Sequence, residues 1–373
     1  MKKIILVSNT SWYLYNFRLG VIHLLQQQNF QIVCIANYDE YSKKLIEEGV
    51  TFIKSSVANK GINPFQDLNY FWFLLRHYKE IRPCLIFHYT IKPNIYGSLA
   101  ARLANLKSIA IVSGAGYVFL KNNTLNRITR KLYNLAAKVS VEVWFVNKED
   151  QIMFIEQGIV KKEKTKVLPG EGIDTALFKR DLPYPTNGEI FVFLLAGRML
   201  WDKGVGIYVE AAKRIKQTHS NVKFQLLGFV DTLNPSAITR EQILSWERRG
   251  IIEYLGATDD VKKFLNTVNC FVLPSYYREG VPKSLLEAAS LEIPIITTNN
   301  VGCKEVVEDG YNGFLCSIKD SESLVEKMER ILKMEKSCLR EMGCNGRKKV
   351  IAEFHETLVL KHYEEILYTY LNN

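Results

Sequence analysis

Short apolar runs alternate with longer helix-like stretches along this chain, and the alternation occurs twice. In the first half, β-branched apolar runs predict strands over residues 4–8, 32–36, 85–88, 109–113 and 141–146. Helices are predicted between them over residues 16–28, 64–79 and 93–105. The second half repeats the pattern, with strands over 190–196, 223–227, 271–274 and 294–298 and helices over 204–217, 282–291 and 321–334. Such alternation predicts parallel sheets covered by helices, and its repetition predicts two domains of the α/β class.

A stretch rich in proline and glycine, residues 168–174 followed by 181–188, is the linker predicted between the halves. We therefore expect a first domain over residues 1–175 and a second over 176–354. A terminal helix at about 355–373 is expected to pack back on the first domain. The two parallel sheets are expected to face each other across a cleft, because ligands of such sheets bind at the carboxyl ends of the strands.

The charge is distributed unevenly between the two halves. Up to residue 185 the sequence has 25 Lys and Arg against 14 Asp and Glu, whereas the net charge of the whole chain is +10. A basic first half predicts an anionic partner, which is a phospholipid surface, a lipid diphosphate or nucleic acid. The basic residues lack the interleaved aromatic residues of a nucleic-acid platform, so a nucleic acid is not expected. The remaining alternative is that the positive charge only aids solubility.

Other bulk features point to a cytoplasmic protein. The longest weakly polar run, residues 108–120, is too short to span a membrane. The apolar N-terminus is interrupted at residues 8–11, which favours a buried first strand over a signal peptide. The seven cysteines are scattered without a Cys-x-x-Cys pair, which is typical of reduced thiols and predicts no metal site.

Two cations, Arg198 and Lys203, follow the first predicted strand of the second half. The planar guanidinium and the compact ammonium both suit a diphosphate. The alternative is that they are two surface cations without a ligand. Because no Asp-x-Asp triplet occurs in the sequence, we expect these cations, rather than a metal ion, to neutralise the diphosphate.

Two carboxylates, Glu279 and Glu287, stand on either side of a predicted helix start at Pro282. Proline suits a first turn, and the amides from Val281 to Ser284, around Pro282, are expected to meet an anion. Glu287 lies on an otherwise apolar helix, so its carboxylate needs a partner, which is a pair of ribose hydroxyls or a buried ion pair. Glu279 precedes the helix, where it is expected to contact sugar hydroxyls or to balance developing charge.

The first half carries less specific signals. Asn9 lies in the polar loop after the first strand, and Arg18 lies in the helix that follows. The run from Gly114 to Gly116 begins like a dinucleotide fingerprint, but it continues into Phe119 and follows a late strand, so a nicotinamide site is rejected. His88 ends a predicted strand, where a histidine either orients a reacting sugar or has a structural role.

Residues 124–139 predict a basic amphipathic helix. Its cations Arg127, Arg130 and Lys131 flank an apolar stripe that includes Ile128, Leu132 and Leu135. Such a helix is typical of membrane-interface segments. Equally, the stripe would pack onto the sheet and leave the charges in water.

Taken together, these motifs resemble glycosyltransferase family 4. Arg198-x4-Lys203 together with Glu279-x7-Glu287 is similar to the signature of these retaining enzymes, and the similarity runs the whole length of the chain. The resemblance implies the GT-B fold, which has two Rossmann-like domains, with the donor in the second, the acceptor in the first, and no metal or other cofactor. It implies that Arg198 and Lys203 bind the donor diphosphate.

The same resemblance implies further site residues. Glu287 would bind ribose, Glu279 the transferred sugar, and Gly228 would approach the base through its backbone. His88 lies near the active-site histidine of the family, within a residue or two. Glu279 and His88 are therefore the predicted catalytic residues.

A narrower resemblance concerns bacterial transferases that extend polyprenyl-diphosphate-linked sugars. It rests on residues 9–18, Lys92-Pro93-Asn94, 113–116 and 228–236. Asn9, Arg18, Lys92, Gly114 and Gly116 are thereby predicted on the acceptor side. The implied partners are a nucleotide-sugar donor, a lipid-linked acceptor and an anionic inner-membrane surface.

The resulting hypothesis is a retaining, metal-independent hexosyltransferase that is peripheral on the inner face of the plasma membrane. It would move an N-acetylhexosamine, GalNAc or GlcNAc, from a UDP-sugar to a polyprenyl-diphosphate-linked saccharide. Replacement of Lys203 by Ala is expected to abolish turnover with little loss of fold. A UDP-sugar epimerase of the same architecture and a non-enzymatic membrane- or nucleic-acid-binding protein are the alternatives.

Overall fold

The chain forms two compact units, described here from a computed structural model. One unit comprises Met1–Gly172 and Glu356–Asn373, and the other comprises Ile173–His355. The structure describes residues 1–55, 57, 63–115, 124–182, 190–232 and 234–371. Within these ranges, none of the helices combines the length and the apolar character needed to cross a membrane.

The first unit is a seven-stranded parallel sheet with helices on both faces. Its strands are β1 (Lys3–Thr10), β2 (Gln31–Asn37), β3 (Thr51–Ser55), β4 (Leu85–Tyr89), β5 (Ser108–Val112), β6 (Glu142–Phe145) and β7 (Thr165–Val167). Its helices are α1 (Ser11–Gln27), α2 (Tyr41–Glu47), α3 (Pro64–Ile81), α4 (Ser98–Leu103), α5 (Thr124–Val139), α6 (Lys148–Glu156) and, from the C-terminus, α14 (Glu356–Leu371).

The strand order of this sheet is β3-β2-β1-β4-β5-β6-β7. The chain therefore adds β2 and β3 on one side of β1, and then crosses back to add β4, β5, β6 and β7 on the other side. Because parallel crossovers are right-handed, α1 and α2 cover one face and α3, α4 and α5 the other. Such an order creates a crevice at the carboxyl ends of β1 and β4, where it reverses.

Burial explains why the first apolar run is a strand. Residues 4–7 of β1 are fully buried, with β2 on one side and β4 on the other. The side chain of Thr10 caps α1 by accepting a hydrogen bond from the backbone N–H of Tyr13, which ends the strand and begins the helix. The apolar face of α14, including Val359 and Tyr363, belongs to the same core as α1.

The second unit is a six-stranded parallel sheet of the same design. Its strands are β8 (Phe191–Ala196), β9 (Val222–Leu227), β10 (Glu253–Tyr254), β11 (Cys270–Leu273), β12 (Ile295–Thr298) and β13 (Gly313–Cys316). Its helices are α7 (Val205–Thr218), α8 (Arg240–Arg248), α9 (Val261–Leu265), α10 (Lys283–Ser290), α11 (Cys303–Val306), α12 (Ser321–Leu332) and α13 (Lys336–Glu353). The order β10-β9-β8-β11-β12-β13 reverses between β8 and β11.

The prediction of two Rossmann-like α/β units is confirmed. One predicted helix differs in detail. Residues 93–105 are not one α-helix, because the π-helical turn Pro93–Gly97 precedes α4. Insertions of this kind occur frequently at functional sites.

Candidate active site

The candidate active site of the second unit lies where its strand order reverses. β8 pairs with β9 on one side and with β11 on the other. The loops after β8, β9, β11 and β12 therefore meet at one edge of the sheet. Ligands of open parallel sheets bind at this edge.

Lys203 and Glu279, both predicted from the sequence, contact each other directly at this edge. The Lys203 Nζ atom lies 2.6 Å from Oε1 of Glu279, and Ser275 Oγ donates a hydrogen bond of 2.8 Å to the same oxygen. Both charged side chains are largely buried. The loop after β8 thus carries a cation that is held in place by a carboxylate from the loop after β11.

Backbone contacts fix the loop that carries Glu279. The carbonyl of Asp202 accepts hydrogen bonds from the backbone N–H groups of Tyr276 and Tyr277, at 2.9 and 3.1 Å. On the other side, Asn300 donates from Nδ2 to the carbonyl of Tyr277 at 2.7 Å. The carboxylate is therefore positioned by the loops after β8 and β12 together.

Arg198 and Lys203 contact loops on opposite sides of β8. Its guanidinium is 3.6 Å from Oδ2 of Asp231, in the loop after β9, and it is more exposed than Lys203. Each predicted cation therefore has a carboxylate partner on a neighbouring loop.

Gly228 follows β9 in a conformation that only glycine adopts readily. Its φ angle is +145°, and a Cβ atom there would lie 1.8 Å from the carbonyl oxygen of Gly197. The backbones of the loops after β8 and β9 thus touch at this point. A side chain would force them apart.

The helix that follows Glu279 begins at the same edge. Pro282 is the N-cap residue of α10, and its side chain makes no capping hydrogen bond. Val281 and Pro282 are buried. The positive end of the helix dipole therefore lies at this edge of the sheet.

Glu287 lies on the second turn of α10, and its side chain is half-buried. Burial raises the pKa of Glu287, and the charge of Lys283, one turn earlier, counteracts this. Within the residues that the structure describes, the Glu287 carboxylate has no hydrogen-bond partner. The buried ion pair that the sequence left open for Glu287 is therefore not found there.

In the first unit, polar groups collect where β1 and β4 end. Ser8 Oγ and Asn9 Oδ1 are buried atoms without a hydrogen-bond partner in the described part of the chain. Thr90, directly after β4, has a φ angle of +69°, which is strained for a β-branched residue. Orphaned polar atoms and backbone strain concentrate at functional sites.

Arg18 does not lie on a binding surface of this unit. Its guanidinium is fully buried, contacts Glu171 and lies 2.8 Å from the hydroxyl of Tyr13. It also lies 4.6 Å from the ring centre of Tyr89. The structure gives Arg18 a structural role in joining α1 to residue 171, and its acceptor role stays a prediction that this placement does not favour.

His88 is likewise enclosed. It is the fourth of five residues in β4, and its ring is buried between Tyr78 of α3 and Ser98 of α4, with Nε2 2.8 Å from the Tyr78 hydroxyl and Nδ1 3.3 Å from Ser98 Oγ. Burial lowers the pKa of His88 to about 3, so the ring is neutral at physiological pH. Both ring nitrogens are occupied, and the geometry does not favour the predicted catalytic role.

The other predicted acceptor residues differ in their surroundings. Lys92 is largely buried, and its Nζ lies 2.7 Å from Asp67 Oδ1. Gly114 follows β5 with a φ angle of +141°. Gly116 lies outside the described residues.

The amphipathic helix predicted over residues 124–139 is confirmed as α5. Its apolar stripe, however, does not pack onto the sheet as one of the two interpretations required. The side chains that pack inward include Asn126, Thr129, Tyr133, Ala136 and Ala137. The stripe members Ile128 and Leu135 are exposed, and Leu132 is half-buried. Arg127 and Lys131 are exposed beside them, and Arg130 is half-buried.

Three polar residues of these sites were not predicted. Ser275 and Asp231 contact the predicted residues Glu279 and Arg198, and Asp67 contacts Lys92. The carboxylate of Asp231 was visible in the motif that begins at Gly228. Nothing local to Asp67 or Ser275 marks either residue as a partner.

Comparison with known proteins assigns the chain to a family. Residues 3–147 match the family model "Glycosyl transferase 4-like", and residues 179–349 match "Glycosyl transferases group 1". The two glycosyl transferase models together cover most of the chain, which is therefore a glycosyltransferase with a group 1 domain in its second half. The edge with Lys203, Glu279 and Glu287 lies within the second of these matches, and the family resemblance inferred from the motifs is confirmed.

Two relatives of this glycosyltransferase match nearly its whole length. It is 29% identical over 365 residues to the N,N'-diacetylbacillosaminyl-diphospho-undecaprenol alpha-1,3-N-acetylgalactosaminyltransferase of Campylobacter jejuni, covering 94% of each chain. It is 25% identical to the UDP-Gal:alpha-D-GlcNAc-diphosphoundecaprenol alpha-1,3-galactosyltransferase of Escherichia coli, covering 95% of this chain and 92% of the relative.

The fold is shared with solved structures. Anabaena Alr3699/HepE in complex with UDP superposes with a TM-score of 0.80 at 18% identity, covering 99% of this chain and all of that one. The GT-B fold class is thereby confirmed for this glycosyltransferase.

Proposed function

We propose that this glycosyltransferase moves an N-acetylhexosamine, GalNAc or GlcNAc, from a UDP-sugar to a polyprenyl-diphosphate-linked saccharide. The observation that carries the proposal is the buried contact between Lys203 and Glu279 at the point where the second sheet reverses. The names of the Campylobacter and Escherichia coli relatives supply the substrate class, because both act on undecaprenol-diphosphate-linked sugars.

The donor diphosphate is bound by Arg198, Lys203 and the first turn of α10. As the bond between the sugar and the diphosphate breaks, negative charge grows on the leaving oxygen. The guanidinium of Arg198, the ammonium of Lys203 and the positive end of the α10 dipole stabilise that charge. No divalent ion is needed in this scheme, and the transferred sugar keeps its anomeric configuration.

The rest of the donor is bound by neighbouring groups. The free carboxylate of Glu287 accepts hydrogen bonds from the ribose hydroxyls, and the backbone at Gly228 approaches the base. Glu279 turns from Lys203 to the hydroxyls of the transferred sugar once the diphosphate has taken over the ammonium. The acceptor is bound by the first unit, where the side-chain oxygens of Ser8 and Asn9, which have no hydrogen-bond partner among the described residues, accept hydrogen bonds from it.

The membrane contact is made by α5, in a protein that is peripheral on the cytoplasmic face of the plasma membrane. Its exposed Ile128 and Leu135, flanked by Arg127 and Lys131, suit an anionic lipid surface. A groove of about 610 Å³ beside α5, lined partly by Arg130, Lys131 and Leu135, adds a place for a phosphate headgroup. A lipid-linked acceptor requires such contact, because its saccharide stays within reach of the bilayer.

The test is a transfer assay with a polyprenyl-diphosphate-linked disaccharide in detergent micelles containing EDTA. UDP-GalNAc, UDP-GlcNAc, GDP- and dTDP-sugars are compared, and the product is detected by mass spectrometry. We expect addition of one N-acetylhexosamine from a UDP-sugar, and proton NMR of the product should show an equatorial anomeric proton, as in the α-linked donor. Transfer only from GDP- or dTDP-sugars, or only with manganese, would contradict the proposal.

Two controls separate the alternatives. Incubation of the UDP-sugar without acceptor would yield an epimerised sugar if the enzyme were an epimerase. The variant Lys203→Met abolishes transfer if the diphosphate is bound as described.

A further inference from the structure

Helix α3 of the first unit presents an apolar stripe to solvent. Phe65 is 81% exposed, Leu68 53% and Trp72 55%. These residues are spaced i, i+3 and i+7, so they form one line along the helix, roughly 10 Å long. An exposed line of two aromatic rings and a leucine is unusual on a protein surface that faces water, and it marks an interaction site.

The stripe is not a misplaced core face, because α3 is firmly held by its other side. Tyr70, Leu74 and Tyr78 are buried against the sheet. At the start of the helix, Asn63 caps it by accepting hydrogen bonds from the N–H groups of Phe65 and Gln66, at 3.1 and 3.3 Å. The backbone under the stripe is thus fixed while the rings remain in solvent.

A second anchor lies within the first two turns. Asp67 is buried, and its two oxygens bind Lys92 Nζ at 2.7 Å and the Tyr96 hydroxyl at 3.0 Å. This ion pair ties the stripe-bearing end of α3 to the π-helical turn after β4. The stripe therefore moves as one body with the loop that carries the predicted acceptor residue Lys92.

The stripe lies on the same face of the sheet as the exposed side of α5. Crossover helices run antiparallel to their strands, so α3 and α5 both begin at the carboxyl edge of the sheet, where Ser8 and Asn9 lie. The sequences of α3, α4 and α5 contain seven Lys and Arg against two carboxylates, one of which, Asp67, is neutralised by Lys92. The layer is therefore cationic and apolar together.

We propose that Phe65, Leu68 and Trp72 insert into the interface of an anionic phospholipid bilayer, beside the contact made by α5. A bilayer is favoured over a protein partner because the surrounding helices have an excess of positive charge, and because tryptophan and phenylalanine beside Lys and Arg are typical of interfacial helices. This inference rests on the proposed function, since a membrane-bound acceptor is what would bring this edge to the bilayer.

The experiment uses vesicles of phosphatidylglycerol and phosphatidylcholine, some with bromine atoms on the acyl chains. The fluorescence of the full-length enzyme is compared with that of a Trp72→Phe variant, and the difference reports Trp72 alone. We expect bromolipid to quench the Trp72 signal, because a bromine quencher acts only at short range within the acyl region. Binding to vesicles without quenching of this signal would overturn the insertion.

A cosedimentation assay tests the energetic contribution of the stripe. The variant Phe65→Ser/Trp72→Ser should lower the vesicle partition coefficient by about tenfold or more for each ring removed. Tyr368→Ser is the matched control, because Tyr368 is 74% exposed but lies on α14, which packs with α1 on the other face of the sheet. Equal partitioning of both variants and the wild type would refute the proposal.

Two further measurements keep this inference distinct from the proposed function. UDP binding and transfer to a short-chain, water-soluble acceptor should be unchanged in Phe65→Ser/Trp72→Ser. If the wild type neither binds UDP nor transfers sugar but still binds vesicles through the stripe, the proposed function is wrong and the membrane insertion is supported. If light scattering shows a dimer that the serine variant abolishes, with no vesicle binding, the stripe is a contact between copies of the chain and the proposal is wrong.

Discussion

The contact between Lys203 and Glu279 makes a quantitative prediction about stability. The two charged atoms are 2.6 Å apart, and both side chains are largely removed from water. Replacing Lys203 by Met keeps the length of the side chain but leaves the Glu279 carboxylate buried without its cation. Loss of one partner of a buried pair costs about 3–5 kcal/mol in the free energy of unfolding. The remaining hydrogen bond from Ser275 Oγ, at 2.8 Å, places the expected value at the lower end, about 3 kcal/mol.

The assay is urea unfolding of Lys203→Met, Glu279→Gln and the double variant, followed by circular dichroism. Because the double variant has neither charge, its unfolding free energy should recover most of the loss, giving a coupling of at least about 2 kcal/mol. UDP affinity should not recover, since the Lys203 ammonium is missing from both Lys203→Met and the double variant. A loss below about 1 kcal/mol in Lys203→Met, or a double variant as unstable as the sum of the singles, would refute the buried ion pair.

Three further predictions concern single residues. In a urea titration, Gly228→Ala should lower the unfolding free energy by at least about 3 kcal/mol, because its Cβ would overlap the carbonyl oxygen of Gly197. The control is Gly197→Ala, which should be nearly neutral because its Cβ meets none of the described residues within 4 Å. His88 has a pKa of about 3 in the folded chain and 6.5 in its ordinary state, so between these pH values only the unfolded chain gains a proton. The contribution of His88 to the unfolding free energy is therefore present above pH 6.5 and falls by about 2 kcal/mol by pH 5. His88→Gln should remove that part of the pH dependence, and an unchanged slope would show that His88 titrates normally. Glu287→Gln should weaken UDP binding by about tenfold but 2′-deoxy-UDP binding much less in calorimetry, and equal losses would exclude a ribose contact.

The central strands could be predicted from the sequence because most of their residues are buried. β1, β4 and β8 read as continuous apolar runs, and each was expected within a few residues of its bounds. The strands β3, β7, β10 and β13 were not predicted, because they are short or lie near the sheet edges, where polar residues interrupt the apolar pattern.

The grouping of the predicted donor residues could be read from the sequence for a similar reason. Charged residues that directly follow buried strands must lie at the carboxyl edge of the sheet, so Arg198, Lys203 and Glu279 could be grouped before any coordinates. The buried ion pair between two of them was not foreseen. The expectation that Lys203 can be replaced with little loss of fold stays a prediction, and the buried pair predicts instead a loss of about 3 kcal/mol when the cation is removed.

The first unit was harder to read, because its polar partners are distant in sequence. Arg18 meets Glu171 across 153 positions, and no local pattern links them. His88 depended on register, because adjacent strand residues point to opposite faces and an alignment uncertain by one residue cannot assign a face. For Lys92, the partner Asp67 lies on α3, 25 positions earlier in the sequence, and no local pattern links the two residues.

The most direct test of this account is a crystal structure of the enzyme soaked with UDP in the presence of EDTA. We expect the diphosphate oxygens at about 2.7–2.9 Å from Lys203 Nζ, next to the first turn of α10, with the ribose hydroxyls on Glu287. Glu279 should then have moved away from the ammonium. Density for UDP elsewhere in the chain, or density at this turn only when manganese is added, would contradict the account.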